Sequence, residues 1–241
     1  MILFNAEEIS AFSLGLANGI WTTLYVSIIG TVVGLIIGLL CGLIRVQSIN
    51  SYDSWFIKIL KRVGDILVRC YVTVFRGTPM ILQALLLNNA LIIIFAVEPT
   101  LATTISSLIT VSINTGAYLT EVIRNSIQSV DKGQMEAARA MGMNQTKAMT
   151  YVIFPQAIKN SFASIGNEFI INIKDTSVLQ IIGLQDVFTF IKNFAMQDYN
   201  IIFWYAIVGV IYLILTYGCS KLLMLTERKL GAPVREITSS N

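Results

Sequence analysis

Ionisable side chains interrupt otherwise apolar stretches of the chain at two places, and these residues are the ones best suited to bind a polar ligand. The first place is Arg76, which is followed by Gly77, Thr78 and Pro79. The second carries both signs of charge and two hydroxyls: Glu168, Lys174, Asp175, Thr176 and Ser177. A charged group inside a membrane is costly and marks a functional site by default. These residues are therefore candidates for substrate binding or gating, and the alternative is that they pair only to neutralise one another.

Several other kinds of chemistry are excluded by what the sequence lacks. The chain has no histidine, which rules out imidazole metal sites and Ser-His or Cys-His catalysis. Its three cysteines are isolated, and the simplest interpretation is that they are small apolar side chains in helices. No Walker A pattern occurs, so we expect ATP hydrolysis only in another chain. The net charge of +3 gives no indication of nucleic-acid binding.

The elements that position these charges are predicted to be membrane-spanning helices. Hydrophobic residues make up 55% of the chain and charged residues 13%, against about 25% charged in soluble domains. A helix that crosses a bilayer needs about 20 largely apolar residues. Five segments meet this requirement, and the second is long enough to be tilted or broken: Ile20–Ile44, Val63–Val97, Leu101–Ile123, Ala157–Leu184 and Ile201–Ser220. We therefore expect an all-α, polytopic membrane protein with one transmembrane domain over residues 1–241.

The distribution of lysine and arginine predicts the orientation, since cytoplasmic loops are enriched in both. Basic residues cluster between spans one and two, between spans three and four, and at the C-terminus, where Arg235 is the last of them. The opposite side has only Lys192. The N-terminus is therefore predicted outside and the C-terminus in the cytoplasm. Residues Ser51–Arg62 are either an interfacial helix on the inner leaflet or the start of span two, and both interpretations remain open.

A cytoplasmic loop at about residues 126–155 is predicted to contain a short helix. Gln134–Met141 has strong helix formers, and Gly142 follows where a C-terminal cap is needed. Such a short helix is marginal by itself and must pack on something. The surface of Ala137, Ala138, Met141 and Met143 would suit either a groove in a partner protein or the chain's own helices.

The residues of this loop resemble the EAA loop of permease subunits of ATP-binding-cassette (ABC) importers. Residues Gly133–Gly142 read GQMEAARAMG, with EAA followed three residues later by glycine. Other segments resemble polar amino acid permeases: Phe75–Pro79 with Gln83, Gly116–Tyr118 with Glu121 and Arg124, Pro155–Ala157, Gly166–Asn167 and Lys174–Ser177. The similarity covers roughly residues 15–230. It departs from the family pattern after Gln83, where Asn88 and Asn89 lie in a stretch that is usually rich in aromatic residues.

This resemblance implies a permease subunit that is not itself an enzyme. The loop helix would dock into a cytoplasmic ABC ATPase dimer through the coupling residues Gly133, Glu136, Ala137, Ala138, Arg139, Met141 and Gly142. ATP and Mg²⁺ would be used by that partner, and this chain would hold no cofactor. An extracellular or periplasmic amino acid-binding protein would deliver the substrate. A second permease, identical or related, would complete the pathway in the cell membrane of a prokaryote.

The same resemblance gives the membrane charges a role, because an amino acid is a zwitterion. Its carboxylate needs a cation, for which Arg76 or Lys174 is suited, and its ammonium needs an acceptor, for which Asp175 or Glu168 is suited. The hydroxyls of three residues would add hydrogen bonds: Thr78, Thr176 and Ser177. Glu121 and Arg124, near the cytoplasmic end of span three, are expected to form a structural ion pair.

Two further questions are left open by the sequence. Gly30, Gly34, Gly38 and Gly42 recur every four residues and form a small-residue stripe, suited either to dimerisation or to packing inside the subunit. The alternative function is a stand-alone, ion-coupled amino acid transporter, which would need the same membrane charges but no EAA loop. A membrane enzyme is disfavoured, since no nucleophile is paired with a base.

Overall fold

The protein is predominantly helical in the part that its computed structural model describes, residues 6–47 and 53–230, and no strand occurs there. The α-helices are α1 Ala6–Val46, α2 Trp55–Gly77, α3 Met80–Ile93, α4 Pro99–Gln128, α5 Lys132–Ala140, α6 Gln145–Ala148, α7 Phe154–Asp175, α8 Val187–Asp198 and α9 Ile201–Leu230. A π-helical turn, Met149–Ile153, separates α6 from α7, and a 3₁₀ helix, Thr176–Ile182, follows α7. The predicted all-α class is confirmed.

Two of the described helices are long and apolar enough to cross a membrane alone. They cover Ile9–Val46 in α1 and Ile201–Lys229 in α9, and α2 with α3 adds a third span if this bent pair counts as one. Helix α4, with 30 residues, and α7, with 22, are long enough but more polar. Some of their polar side chains are buried inside the protein, as at Thr115 and Thr120 of α4. Mean hydropathy therefore underestimates how well these helices suit a membrane. The chain is a polytopic membrane protein, and the count of five spans stays a prediction.

Helix α2 begins at Trp55 and is continuous to Gly77, so residues 55–62 are its first turns rather than a separate helix. Ser51 and Tyr52, which the interfacial interpretation also included, lie outside the described residues, as does the basic Arg235. The segment predicted to be a tilted or broken second span is indeed broken. Proline at position 79 has an extended backbone, with φ −61° and ψ 135°, and α3 starts only after it.

A second break occurs where α7 changes into the 3₁₀ helix. The hydroxyl of Thr176 donates to the carbonyl of Ile173 at 2.9 Å, and the hydroxyl of Ser177 donates to the carbonyl of Lys174 at 2.7 Å. The 3₁₀ helix ends at Gly183, whose φ of +93° is accessible to glycine at little cost. The segment Lys174–Ser177 therefore lies at a change of helical pitch, a feature that often marks a hinge.

The chain divides into two compact units, each with its own core. The first contains Met1–Val32, Thr78–Ile113 and Phe169–Cys219, and the second contains Val33–Gly77, Asn114–Glu168 and Ser220–Asn241. The first unit has one apolar cluster around Val26, Ala84, Val111 and Leu179, and another around Val187, Ile191, Ala195 and Trp204. The core of the second unit is formed by Ile123, Ile127, Val130, Ile153 and Ala157.

The glycine stripe of α1 packs against α4, inside the subunit. In the first unit, a methyl group added at Gly30 would meet the side chain of Val111. In the second unit, Gly34, Gly38 and Gly42 lie against residues of α4 that also recur every four positions: Thr115, Leu119 and Ile123. Matched spacing of four lets small residues on one helix receive larger side chains from the other, so that the backbones approach closely. These contacts fit the packing interpretation of the stripe.

Candidate functional site

The loop helix α5 is capped at both ends by residues of the loop itself. At its start, the Asp131 carboxylate accepts a hydrogen bond from the N–H of Gly133 at 2.6 Å. At its end, Gly142 has a φ of +88°, its N–H donates to the carbonyl of Arg139, and the N–H of Met143 donates to the carbonyl of Ala138. These two bonds form a Schellman motif, for which glycine is the preferred residue. The expected cap at Gly142 is therefore present. The helix begins at Lys132, before the predicted Gln134, so Gly133 lies in its first turn.

The two faces of α5 have different environments. Ala138 is buried, with 1% of its surface exposed, and Met135 packs against the core of the second unit. Glu136, Ala137 and Arg139 are exposed. Met141, just after the helix, is 73% exposed. Of the surface predicted for a partner, Ala137 and Met141 are thus open, while Ala138 faces the chain's own helices.

A π-helical turn packs against α5. Asn144 caps α6 by accepting a hydrogen bond from the N–H of Lys147 at 2.8 Å, and the π turn Met149–Ile153 continues into α7. Helix α5 packs on both α6 and this π turn. π-helical turns occur frequently at functional sites, because the extra residue costs stability. The exposed side of α5 is therefore held in a defined orientation by its caps and by the helix beneath it.

A network of five charged residues also lies in the second unit, and it includes the predicted pair. Arg124 Nε is 3.0 Å from Glu121 Oε2, while the other oxygen, Oε1, accepts from Arg45 Nη1 at 2.8 Å. Arg45 Nε is 3.2 Å from Asp65, which also binds Arg69 at 2.8 Å. The side chain of Arg45 is only 10% exposed, so this arginine is the centre of the network. Sequence reasoning found the local pair but missed Arg45, which is 76 residues from Glu121.

Arg76 lies at the end of α2 in the second unit. Its guanidinium carbon is 4.9 Å from the centre of the Tyr118 ring, within the range of a cation–π interaction, and the residue remains exposed. The Asn114 side-chain amide donates to the carbonyl of Phe75 at 3.1 Å and so satisfies one of the free carbonyls at the helix end. Gly77 has open space around it. Glu168, in the same unit, is half-buried.

The remaining predicted site residues belong to the first unit. The Gln83 side-chain amide donates to the Thr78 hydroxyl at 2.9 Å and to the Thr78 carbonyl at 3.1 Å, which fixes the start of α3. Lys174 is exposed, Asp175 is half-buried and Thr176 is fully buried. Within residues 6–47 and 53–230, no ion pair shorter than 4.0 Å involves Lys174 or Asp175. Lys174 and Asp175 are thus both without a salt-bridge partner among the described residues.

One buried charge in the first unit, Asp186, is not among the residues that the sequence singled out. Asp186 has no exposed surface and caps α8 by accepting a hydrogen bond from the N–H of Thr189 at 2.9 Å. Its second oxygen accepts from the hydroxyl of Tyr212 in α9 at 3.0 Å. The next N–H, of Val187, donates to the hydroxyl of Thr23 in α1 at 3.4 Å. This cluster joins α1, α8 and α9. In the sequence, the only feature that could have indicated it is a lone aspartate before a helix.

The comparison with known proteins agrees with this arrangement. Residues 34–225 match the sequence model of the family described as binding-protein-dependent transport system inner membrane component. The chain belongs to this family. It is 31% identical over 218 residues to the glutamine transport system permease protein of Escherichia coli (strain K12), covering 89% of this chain and 92% of that protein. It is 35% identical over 160 residues to the putative glutamine transport system permease protein of Rickettsia bellii, covering 66% of this chain and 72% of that one.

Solved structures give the same result for the fold. An amino acid ABC transporter crystallised with histidines matches with a TM-score of 0.76 and 33% identity, over 95% of this chain and 100% of that one. The MetNI methionine ABC transporter, at 18% identity, shares the fold, with a TM-score of 0.70 over 90% of this chain and 96% of that one. The chain is therefore the membrane component of a binding-protein-dependent transport system, a permease of the ABC type. Family membership favours this interpretation over an ion-coupled transporter.

Proposed function

We propose that this permease imports a polar or charged amino acid into a prokaryotic cell by alternating access, driven by ATP hydrolysis in a separate subunit. The proposal is carried by the similarity to the E. coli glutamine permease, which extends over 92% of that protein. The family-like segments Phe75–Pro79, Gly133–Gly142 and Lys174–Ser177 lie inside this aligned length. The first and the last of them also lie at the two helix breaks. The amino acid itself is left undefined beyond its polarity.

Coupling to the ATPase would use the exposed side of α5. Glu136, Arg139 and Met141 are open to a partner, while Ala138 and the caps at Asp131 and Gly142 hold the helix in place. A cytoplasmic ATPase dimer would receive this surface in a cleft, and ATP with Mg²⁺ would bind there rather than in this chain. Movement of α5 would be passed to α6 and the π turn, on which it packs, and from the π turn to α7, which continues it.

Substrate contact would involve the charges at the two helix breaks. Arg76 offers an exposed guanidinium that Tyr118 orients, which suits the carboxylate of an amino acid. Asp175 is half-buried and forms no salt bridge among the described residues, which suits an ammonium group. Lys174 and Glu168 are the second choices for these two roles, and Gly77, Thr78, Thr176 and Ser177 complete the proposed set.

The assembly would be a pair of permeases, identical or related, in a multi-pass arrangement in the cell membrane. The clustering of lysine and arginine supports an outer N-terminus and a cytoplasmic C-terminus, and the α5 loop would then lie on the ATPase side. An outer binding protein would deliver the amino acid to the opposite face.

Co-purification from membranes tests the coupling. The wild type, Glu136→Lys and the control Gln134→Lys, which adds a lysine to the same exposed helix outside the EAA residues, are extracted in mild detergent. Co-purified proteins are then identified by mass spectrometry. We expect an ATPase subunit with the wild type and the control, and its loss together with amino acid uptake in Glu136→Lys at equal membrane abundance. Recovery of any second permease would show whether the pair is identical or mixed.

Two outcomes would contradict the proposal. An ATPase that is retained by Glu136→Lys with normal uptake would remove the coupling role of α5. The absence of an ATPase from all samples, with purified protein that transports an amino acid under an ion gradient, would establish the ion-coupled alternative.

A further inference from the structure

A series of hydrogen bonds connects the cap of α8 to the break between α7 and the 3₁₀ helix, entirely within the first unit. The Asp186 carboxylate, which caps α8, accepts a hydrogen bond from the hydroxyl of Tyr212 at 3.0 Å. The same hydroxyl has side-chain hydrogen bonds with Thr176, the first residue of the 3₁₀ helix, and with Thr23 of α1. Tyr212, in α9, therefore joins three other elements at one oxygen atom.

The Asp186 end of this series is rigid. Asp186 and Thr176 have no exposed surface, so water cannot replace a partner that either side chain loses. Helix α1 also approaches the backbone closely here: a methyl group added at Gly19 would lie 3.1 Å from the Val187 nitrogen and 3.2 Å from the Asp186 carbonyl carbon. Because this backbone has no room to shift toward α1, Asp186 holds the hydroxyl of Tyr212 in one position.

The other end of the series lies at the change of helical pitch. The Thr176 hydroxyl, besides its bond with Tyr212, donates to the carbonyl of Ile173 in the last turn of α7 at 2.9 Å. The far end of the 3₁₀ helix is held separately, because the Thr103 hydroxyl of α4 donates to the Ile182 carbonyl at 2.8 Å. Side chains from two neighbouring helices thus hold the two ends of the 3₁₀ helix, and the Tyr212 hydroxyl holds the end next to α7.

We propose that Tyr212, held by Asp186, is a positioning residue for transport. Its hydroxyl would fix Thr176 and, through the first turn of the 3₁₀ helix, the direction of Lys174 and Asp175, the charges proposed to contact the amino acid. Buried polar networks specify one arrangement of the elements that they join, because each bond has a required direction. Tyr212 itself would not touch the substrate. The inference rests on the proposed function, since it concerns the same two charges.

ATPase activity of the assembled transporter in lipid vesicles tests the proposal. The permease, its ATPase and its binding protein are supplied with a saturating, equimolar mixture of the common amino acids, and the stimulated rate is divided by the basal rate. Tyr212→Phe removes one hydroxyl and keeps the ring. We expect this ratio to fall about two- to ten-fold, which corresponds to about 0.4–1.4 kcal/mol, the size of one hydrogen bond. A purely structural loss would reduce the number of folded transporters and both rates equally, so the ratio would not change.

Two further variants show whether the hydroxyl acts through Thr176. Tyr205→Phe removes the same group from α9, where Tyr205 is 41% exposed and stacks on Phe188, and it should leave the ratio unchanged. Thr176→Val removes the hydroxyl at the other end of the hydrogen bond. If Tyr212 acts through Thr176, the double variant Tyr212→Phe with Thr176→Val should lower the ratio no further than Thr176→Val alone.

Hydrogen exchange of the purified chain in detergent gives a measurement that does not depend on transport. The amides of residues 176–182 should exchange about two- to ten-fold faster in Tyr212→Phe than in Tyr205→Phe, because the first turn of the 3₁₀ helix opens more often without the hydroxyl. Exchange in α5, which belongs to the second unit, should be the same in both variants.

Three results would overturn the proposal. A stimulated wild type with equal ratios in Tyr212→Phe and Tyr205→Phe would make Tyr212 a packing residue. Losses that add in the double variant would show that Tyr212 acts independently of Thr176. Unchanged exchange at residues 176–182 would show that the hydroxyl does not hold the 3₁₀ helix. A wild type that the amino acid mixture does not stimulate would contradict the proposed function itself, and the role of Tyr212 in transport would be refuted with it.

Discussion

The substitution Gly38→Ala adds one methyl group at a position in the glycine stripe where the backbone of α4 lies close to α1. The new Cβ would lie 2.7 Å from Cβ of Leu119, 2.9 Å from the Leu119 carbonyl carbon and 3.1 Å from the backbone nitrogen of Thr120. Outer side-chain atoms can rotate away from such a contact, but Cβ and the backbone of a packed helix cannot. The two helices must therefore separate locally, and the neighbouring contacts of the stripe are weakened with them.

The expected cost follows from two opposing effects. Overpacking of a well-packed interior costs about 1–3 kcal/mol. Replacing glycine by alanine inside a helix returns roughly 0.8–1.0 kcal/mol of helix propensity. The control Gly209→Ala in α9 gains the same propensity, and its added methyl group meets nothing within 4 Å. The difference between the two variants therefore isolates the steric cost of about 1–3 kcal/mol.

Thermal unfolding of the purified chain in one detergent, at one scan rate, measures this difference. Gly38→Ala should have an apparent Tm roughly 2–12 °C below that of Gly209→Ala, from the usual relation between free energy and Tm for a chain of this size. Gly38→Leu should lower the yield of folded protein further. A Gly38→Ala variant that melts with or above Gly209→Ala would show that α1 and α4 do not approach as closely as described.

Three other predictions concern the charged residues. Arg45→Gln should lower the free energy of unfolding, measured by chemical denaturation, by about 3 kcal/mol, because two carboxylates each lose a cationic partner. Arg124→Gln should lower it by under about 1 kcal/mol, since the Arg124 side chain is 29% exposed. Equal losses would argue against Arg45 as the centre of the network. Asp186→Ala should cost roughly 2–4 kcal/mol by the same measurement, because it removes a helix cap and hydrogen bonds to a buried carboxylate, and a neutral effect would contradict that cap. Asp175→Asn should lower substrate-stimulated ATPase activity of the assembled transporter more than basal activity, whereas equal losses would indicate a structural role.

The helical class and the main breaks were predictable from local sequence. The length of the second apolar segment predicted a tilted or broken span, and the break lies at Gly77 and Pro79, where α2 ends. Gly142 after a run of helix formers predicted a cap, and the Schellman motif is there. Such features depend on the φ preferences and missing N–H groups of a few neighbouring residues, which the sequence states directly.

The candidate site was predictable only in part. The loop sequence predicted a short helix that must pack either on a partner protein or on the chain's own helices. Which side is buried depends on the core beneath it: Ala138 is buried and Ala137 is exposed. The two helix breaks were visible as polar segments. The contact between Arg76 and Tyr118 could not be predicted, because it connects the end of α2 to a different helix, α4.

By itself, the sequence determined the membrane environment, the helical class, the spacing of the glycines and the residue types at the breaks, because composition and short-range periodicity are properties of the chain alone. The tertiary structure decided which distant residues meet. Glycines spaced by four suit any close helix, and only the fold shows that α4 receives those of α1. Glu121 reaches Arg124 within one turn, yet its pairing with Arg45 requires two helices to pack side by side. A contact between separate helices is set by the packing of the whole core, and no local pattern of residues encodes it.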